Sequence, residues 1–491
     1  AVFDEAHLLA SPTAVFCGIL LNDKRFKAKR RLCLTATPRF WSRLVVNATD
    51  RTLNDFPNSM DNETLFGPVV YRLDYSDSVK RNITVPIRMV VINASRSYVE
   101  AAGGLKQNLT VNFTRSYERT AGALKQSLTL PWAKDIPVRH VELMLALEEA
   151  FERLGIRFAI MFHSRIKYSR QFVRNAHLLQ KALGQRFRLR HSYVDSLMSD
   201  IERRRVLEEA KTKPSVVSNC FILSTGVDIP AVDAVVFANR KQSVVSILQS
   251  VARAARKAPS KQIGYVIVPV YSAHSERNAR EDEELERESD DANEEKAMAA
   301  DDASLNDTRL GFAMERKKHF SAIMDVMQAW ATQDNHFAES VGRYAERIGL
   351  GSLAEDDEYL EEEKAIQERF VAAPSVSLDF VRKSVSFAVV ELARWDYYCG
   401  LVEAFRRIHG HCKIPPSYVS EDGFALGQWS RSVRTAFKRK ALATEKIDQL
   451  DKIDFVWDLR KKEWTEAFDH LLEYKAVHGD CLVPASYLTV D

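Results

Sequence analysis

Nowhere does the chain run for about 18 consecutive apolar residues, the length a membrane-spanning helix needs, so no helical span is predicted. Cysteine is scarce: six in 491 residues, at 17, 33, 220, 399, 412 and 481, with no Cys-x-x-Cys pair. That excludes a disulfide framework of the secreted type and points to a reducing, intracellular compartment. Charge of one sign is missing too, since 70 basic against 67 acidic side chains leave only +3. The balance conceals segregation, and the separate acidic and basic blocks carry the information. No Gly-x-x-x-x-Gly-Lys-Ser/Thr loop occurs anywhere, so the chain has no backbone nest of that type for phosphates.

A chain of 491 residues exceeds a single hydrophobic core, and roughly two to four domains are expected. Residues 1–92 alternate short apolar runs with polar stretches, with strands predicted at 1–3, 31–34 and 85–92. Residues 93–135 are less regular. They contain an echo, residues 105–110 recurring at 124–129, for which we have no functional reading. Over 136–271, strands at 158–162, 221–223, 234–237 and 265–270 alternate with helices at 141–154 and 199–210. This alternation predicts a parallel sheet with helices on both faces. Residues 272–308 read as an acidic linker, with thirteen acids against four bases between 276 and 302. Helical periodicity returns over 309–388.

From 389 the composition turns to Trp, Tyr, His and Arg, and a repeat emerges. Trp395, His409, Gly410, Cys412, Pro415, Ser417 and Tyr418 recur 69 residues later as Trp464, His478, Gly479, Cys481, Pro484, Ser486 and Tyr487. Repeats of one helical unit usually form arrays. The first copy, 389–458, is expected to hold three helices, and the second, 459–491, is cut short. The middle helix carries Arg431, Arg434, Lys438, Arg439 and Lys440 with no acid between Trp429 and Lys440, a basic face suited to a polyanion. An isolated run of this kind is more often a solvated face; its place in a repeated module favours the polyanion. The His409/Cys412 and His478/Cys481 spacing suggests zinc, but each copy offers fewer than the four ligands zinc wants, so a packed aromatic–histidine core is predicted.

Val2-Phe3-Asp4-Glu5-Ala6-His7 is an apolar strand ending in two adjacent acids. In ATP hydrolysis one such carboxylate holds Mg²⁺ and the other orients the attacking water. Further stretches follow in order: Thr35-Ala36-Thr37-Pro38, Phe162-His163-Ser164, Ser224-Thr225-Gly226-Val227-Asp228-Ile229-Pro230, and Gln249-Ser250-Val251-Ala252-Arg253-Ala254-Ala255-Arg256. Each is ambiguous alone; their order and their positions at the mouths of strands are specific.

Over residues 1–270 these stretches resemble motifs II to VI of the superfamily-two (DEAH-type) helicases, and 389–491 resembles the helicase-associated domain. The resemblance implies an α/β fold: part of a first RecA-like domain over 1–92, a connector over 93–135, and a complete second RecA-like domain over 136–271. The acidic linker, an all-α region over 309–388 and the three-helix repeats would follow. It also implies roles. Asp4 would anchor Mg²⁺ and Glu5 would activate water, with His7, Gly226, Asp228 and Gln249 at the nucleotide. Arg253 and Arg256 would act as fingers on the γ-phosphate, and Thr35, Ala36 and Thr37 would couple the site to the inter-domain interface. Ser164 and Thr225 would lie by the nucleic acid, DNA or RNA, with the basic helix. Ala252 stands where the family usually has Gly, and its methyl group could crowd a helix start. The expected protein is an ATP-dependent helicase or translocase acting in the nucleus, with the phosphate-binding loop upstream and this chain inactive alone. The alternatives are a nucleic-acid-binding scaffold that has lost its motor, and the motor subunit of a restriction or repair complex.

Overall fold

A computed structural model describes residues 1–10, 17–38, 60, 62–93, 136–183, 188–220, 222–223, 229–238, 244–259, 261–270, 321–351, 356–372, 378–421, 423–484 and 487. The 105–110/124–129 echo and the acidic stretch 276–302 lie outside these residues. The chain divides into two compact units, Ala1–Ala338 with Ile366–Ala388, and Glu339–Ala365 with Val389–Asp491.

The first unit holds two parallel sheets. In the smaller, β1 (Val2–Phe3) pairs with β2 (Leu32–Cys33). Beneath it Leu9 and Leu21 pack with Phe3, Leu20, Cys33, Leu65 and Phe66. The larger sheet has seven strands: β3 (Ile87–Asn93), β4 (Phe158–Phe162), β5 (Arg190–Val194), β6 (Ser215–Asn219), β7 (Ala234–Phe237), β8 (Gly264–Val270) and β9 (Phe370–Ala372), in the order β5-β6-β4-β7-β8-β3-β9. All its pairings are parallel. Every residue of β4, β6 and β7 is buried, as a sheet covered on both faces requires. Around the strands run α1 (Tyr75–Lys80), α2 (Val138–Leu154), α3 (Ile166–Leu183), α4 (Asp200–Ala210), α5 (Val244–Ala255) and α6 (Ser321–Gln333). Gly155, left-handed at φ 66°, ends α2, and a Ser199–Glu202 capping box opens α4.

The structure departs from the sequence reading in three places. The strand expected at 85–92, assigned with 1–92 to the first domain, instead joins the large sheet, paired with β8 from Ile87↔Gly264 to Asn93↔Val270. The predicted helical region 309–388 supplies that sheet's edge strand, β9. Arg369 fastens it: its backbone carbonyl accepts from Met89 N at 2.7 Å, and its guanidinium donates to Ser76 Oγ and Asp334 Oδ2, both at 3.0 Å. Finally, the strand expected at 221–223 lies earlier, at Ser215–Asn219, and Ile222 and Leu223 sit in a turn. A strand with two serines and an asparagine can be central because those groups are satisfied inside. Asn219 Nδ2 donates to Met161 O at 2.9 Å, and Ser218 Oγ lies 3.2 Å from His163 Nε2.

In the second unit α7 (Asn335–Leu350) crosses α10 (Arg394–His409) at two glycines. A Cβ on Gly400 would strike the Glu346 carbonyl, and one on Gly349 the Tyr397 carbonyl. α8 (Asp356–Gln367) and α9 (Leu378–Leu392), the latter mostly in the first unit, lie between these in sequence, and α11 (Leu426–Lys438), α12 (Thr444–Asp451) and α13 (Leu459–His478) follow. Gly400→Ala is expected to destabilise the protein by about 1–3 kcal/mol, because backbone rather than a movable side chain stands in the way. An unchanged unfolding midpoint would show that the crossing is looser than this.

Three histidines surround one ring in the first unit. His140, His163 and His191 have centroids 5.2, 5.6 and 5.7 Å from that of Phe172. Burial pushes each imidazole down to about 3. An unfolded histidine takes up its proton near pH 6.5, so between about 6.5 and 3 the unfolded chain binds more protons. Stability therefore falls as pH drops through that window, by up to roughly 1.4 kcal/mol per pH unit per histidine. Urea unfolding at pH 7 and pH 5 should show the loss, and His191→Leu should make it shallower.

Candidate functional site

After β1 the chain turns sharply. Glu5 takes a left-handed conformation, φ 52°, and its amide donates to Asp4 Oδ1 at 2.9 Å. A single 3₁₀ turn, Ala6–Leu9, follows, and its first amide donates to Leu34 O at 2.9 Å. The turn leaves the Asp4 and Glu5 carboxylates exposed and seals His7, 2% accessible, beneath them. His7 Nδ1 then meets three groups at once: Thr35 Oγ1 at 3.0 Å, Thr37 Oγ1 at 3.1 Å and Glu5 Oε2 at 3.2 Å. Thr37 N donates to Thr35 Oγ1 at 3.0 Å, and Gln333 Nε2 at the end of α6 donates to Ala36 O. One nitrogen thus serves a carboxylate and two hydroxyls. A protonated Nδ1 can donate to the carboxylate, and a bare one can accept from a hydroxyl. The acid turn and the Thr35–Thr37 loop, 28 residues apart in sequence, are joined through this nitrogen.

Gln249, Arg253 and Arg256 belong to the large sheet's side. Arg253 is buried in the last turn of α5, while Gln249 and Arg256 are half-buried, Arg256 just past the helix end. Ala252 is exposed in the third turn, so its methyl group crowds no helix start. The close approach is at Gly264, where a Cβ would meet the Ala254 carbonyl. Thr225, Gly226 and Asp228 lie outside the described residues. Ser164 is exposed at the carboxyl end of β4, and its carbonyl accepts from Cys220 Sγ at 3.4 Å, at the end of the neighbouring β6.

Two further features escaped the sequence reading. Lys167, Arg170, Gln171 and Arg174 on α3 line a cavity of about 370 Å³, and Arg170 pairs with the buried Asp195 at 2.7 Å. Their i, i+3, i+4, i+7 spacing was the available signal. Lys261 is held down to about 8 by burial, against the pull of Asp233, and donates to Val232 O. It sits where β7 and β8 begin, and Asp233 Oδ2 accepts from Arg157 N at 2.9 Å and Phe158 N at 3.1 Å. That is a stitch across strand starts.

In the repeat the aromatic–histidine contacts are present, but His409 and His478 are exposed, so they stack at the surface and do not fill the predicted core. Phe405 lies 4.2 Å from His409 and 4.8 Å from Tyr418, and Tyr474 lies 4.2 Å from His478 and 4.8 Å from Tyr487. On α11 the outward residues are Gln428, Arg431, Ser432, Thr435 and Lys438, continued by Arg439 and Lys440. Arg434 corrects the expectation of a shared basic face. It is buried, Nε donating to Val456 O at 2.8 Å and the guanidinium lying 4.9 Å over the Phe455 ring. Helical phase puts it with Ser430 and Val433, facing the core.

Residues 144–258 match the helicase conserved C-terminal domain, and residues 392–458 match the helicase associated domain. A probable helicase of African swine fever virus (the Pretoriuskop tick isolate) is 23% identical over 276 residues, covering 55% of this chain and 26% of the relative. Its counterpart in the Kenya pig isolate is 26% identical over 274 residues, with the same coverage. The chain thus spans about a quarter of the length of these relatives. Among solved structures, the ATP-dependent Type ISP restriction-modification enzyme LlaBIII bound to DNA superposes with a TM-score of 0.50 at 16% identity, over 94% of this chain and 31% of that one, a likeness of fold. Residues 144–258 thus resemble a helicase conserved C-terminal domain and residues 392–458 a helicase associated domain, and the chain is similar in these parts to helicases.

Proposed function

We propose that the chain supplies part of an ATP-driven motor that moves along nucleic acid. The contact that carries this reading is the sharing of His7 Nδ1 between Glu5 and the two threonines of the Thr35–Thr37 loop. A carboxylate that orients water for attack changes its surroundings when the γ-phosphate leaves. Through His7 that change reaches Thr35, Thr37 and the loop that Gln333 grips at Ala36.

The donor set suits a magnesium nucleotide. Asp4 uses Oδ1 for the Glu5 amide, and Oδ2 remains for a ligand. Among the described residues no group of three or more His, Cys, Asp or Glu is placed to hold a metal. Magnesium ordinarily keeps several waters and takes one or two carboxylates together with substrate phosphates, so a lone carboxylate is sufficient. There it would neutralise phosphate charge. Glu5 would orient water. Arg256, half-buried past the end of α5, is the better placed of the two arginines to reach a γ-phosphate, with Arg253 buried behind it. Ser164, and Arg431, Lys438, Arg439 and Lys440 on the second unit, would contact the nucleic acid, with Lys438, Arg439 and Lys440 on its backbone.

In the motor reconstituted with a phosphate-binding loop, Glu5→Gln is expected to abolish ATP turnover while keeping nucleic-acid binding. Arg256→Ala should slow turnover by about 10³-fold or more. Wild-type rates for both variants would sink the assignment. For this chain, replacing Lys438, Arg439 and Lys440 with Ala should flatten the slope of log affinity against log salt on duplex DNA, by about 0.9 for each phosphate left without its cation. Arg434→Ala should instead lower the unfolding midpoint and leave that slope unchanged.

A further inference from the structure

We infer that α11 is a groove-reading helix: its outward face enters the major groove of B-form DNA, where Gln428, Arg431 and Ser432 contact base edges while Lys438 and Arg439 hold phosphates. The inference rests on the nucleic-acid reading above and names the substrate class for that surface.

The division of the helix is clean. Leu426, Ser430, Val433 and Arg434 are buried, whereas Gln428, Arg431, Ser432, Thr435, Lys438 and Arg439 are all exposed. The outward set holds no apolar and no acidic residue, and each member can hydrogen-bond. Lys438, Arg439 and Lys440 on their own say little, because cations at a helix carboxyl end are favoured by the backbone dipole in any protein. Arg431 gains nothing of that kind in the second turn, and the first turn lacks the acid that the dipole would favour. Arginine and glutamine are the side chains that pair bidentately with guanine and adenine edges, and serine can bond to either.

The dimensions agree. From Gln428 to Lys438 the helix advances about 15 Å at 1.5 Å per residue, and the B-form major groove, about 12 Å wide, admits a helix. The major groove of A-form RNA is too deep and narrow for side chains to read. α11 is also held rigidly from behind. Trp429 stacks on Tyr398 at 4.8 Å and 6°, Phe437 on Trp457 at 4.1 Å, and Gly427 is pressed against the carbonyls of Pro415 and Pro416. A base-reading face needs that kind of backing, since loosely held side chains do not discriminate.

The test uses the full chain with duplex DNA, duplex RNA of the same sequence and single-stranded DNA at one salt concentration, followed by selection from a randomised DNA duplex library. Duplex DNA should bind at least roughly tenfold more tightly than duplex RNA, and the selection should return a short motif. Gln428→Ala removes no charge, so it should erase preference at one position of that motif and weaken binding to the selected sequence more than to unselected DNA. Lys438→Ala should weaken all sequences alike. Equal binding of duplex RNA or single strands, or a motif that Gln428→Ala does not alter, overturns groove reading while the nucleic-acid reading stands. Failure to bind any of the three overturns both.

Discussion

A sheet whose strands all run parallel has to be covered on both faces, and that requirement orders the first unit. Helices return the chain between strands, so the carboxyl ends of the strands gather along one edge and the amino ends along the other. Segments leaving the carboxyl edge are released from the core and free for chemistry. Ser164 after β4 and Cys220 after β6 meet there. The amino edge is closed by hydrogen bonds from Arg157, Phe158 and Lys261 to the 232–233 segment. The shifted lysine at that edge reports burial first, with Asp233 opposing it. Edge position, rather than the size of a pKa shift, separates the two clusters.

The sequence was most legible where strands are apolar and contiguous. β4, β7 and β8 were found within a residue because a strand buried on both faces has to read as an apolar run. β6 was displaced because Ser218 and Asn219 are satisfied by partners on β4 or just beyond it, which no local pattern reveals. β3 and β9 were seen or missed locally but could not be assigned to a sheet. Their pairing joins residues 87–93 to 264–270 and 370–372, and only the assembled unit specifies it. The acid turn behaved differently. Asp4, Glu5, His7, Thr35 and Thr37 were recognisable by type and order, but the feature that unites them, one imidazole nitrogen facing three oxygens, is purely geometric.

Arg434 and Arg431 show the same limit on a single helix. Composition treats them alike, three residues apart in one acid-free run. Phase separates them: Arg434 packs on Phe455 and caps the Val456 carbonyl, and Arg431 points outward. A buried guanidinium that donates to a carbonyl and lies on an aromatic face is a structural part of the module. Counting it with the surface charges overstated the basic face by one and hid the neutral hydrogen-bonding residues interleaved with the rest. Gln428, Ser432 and Thr435 matter as much as the cations, because phosphate attraction alone carries no sequence information.

The two copies of the repeat divide the module into a local and a non-local layer. The cluster of Phe405, His409 and Tyr418 recurs as Tyr474, His478 and Tyr487 at nearly identical distances and angles, and Gly410 and Gly479 end their helices in the same left-handed conformation. Everything in that cluster comes from one helix end and the turn after it, so it can form without α11 or α12. Trp395 is different. It packs 5.3 Å from Trp429 on α11 and donates to Gln449 on α12, whereas its equivalent Trp464 is 74% exposed. The residues of the local layer are thus set by short-range sequence, and the tryptophan is half-covered by the two helices that follow it. α11 is half of that covering, so the packing on Trp395 also fixes the orientation of the helix bearing the outward Gln428 and Arg431. A substitution at Trp395 would therefore reach the binding face through packing, without removing any group on it.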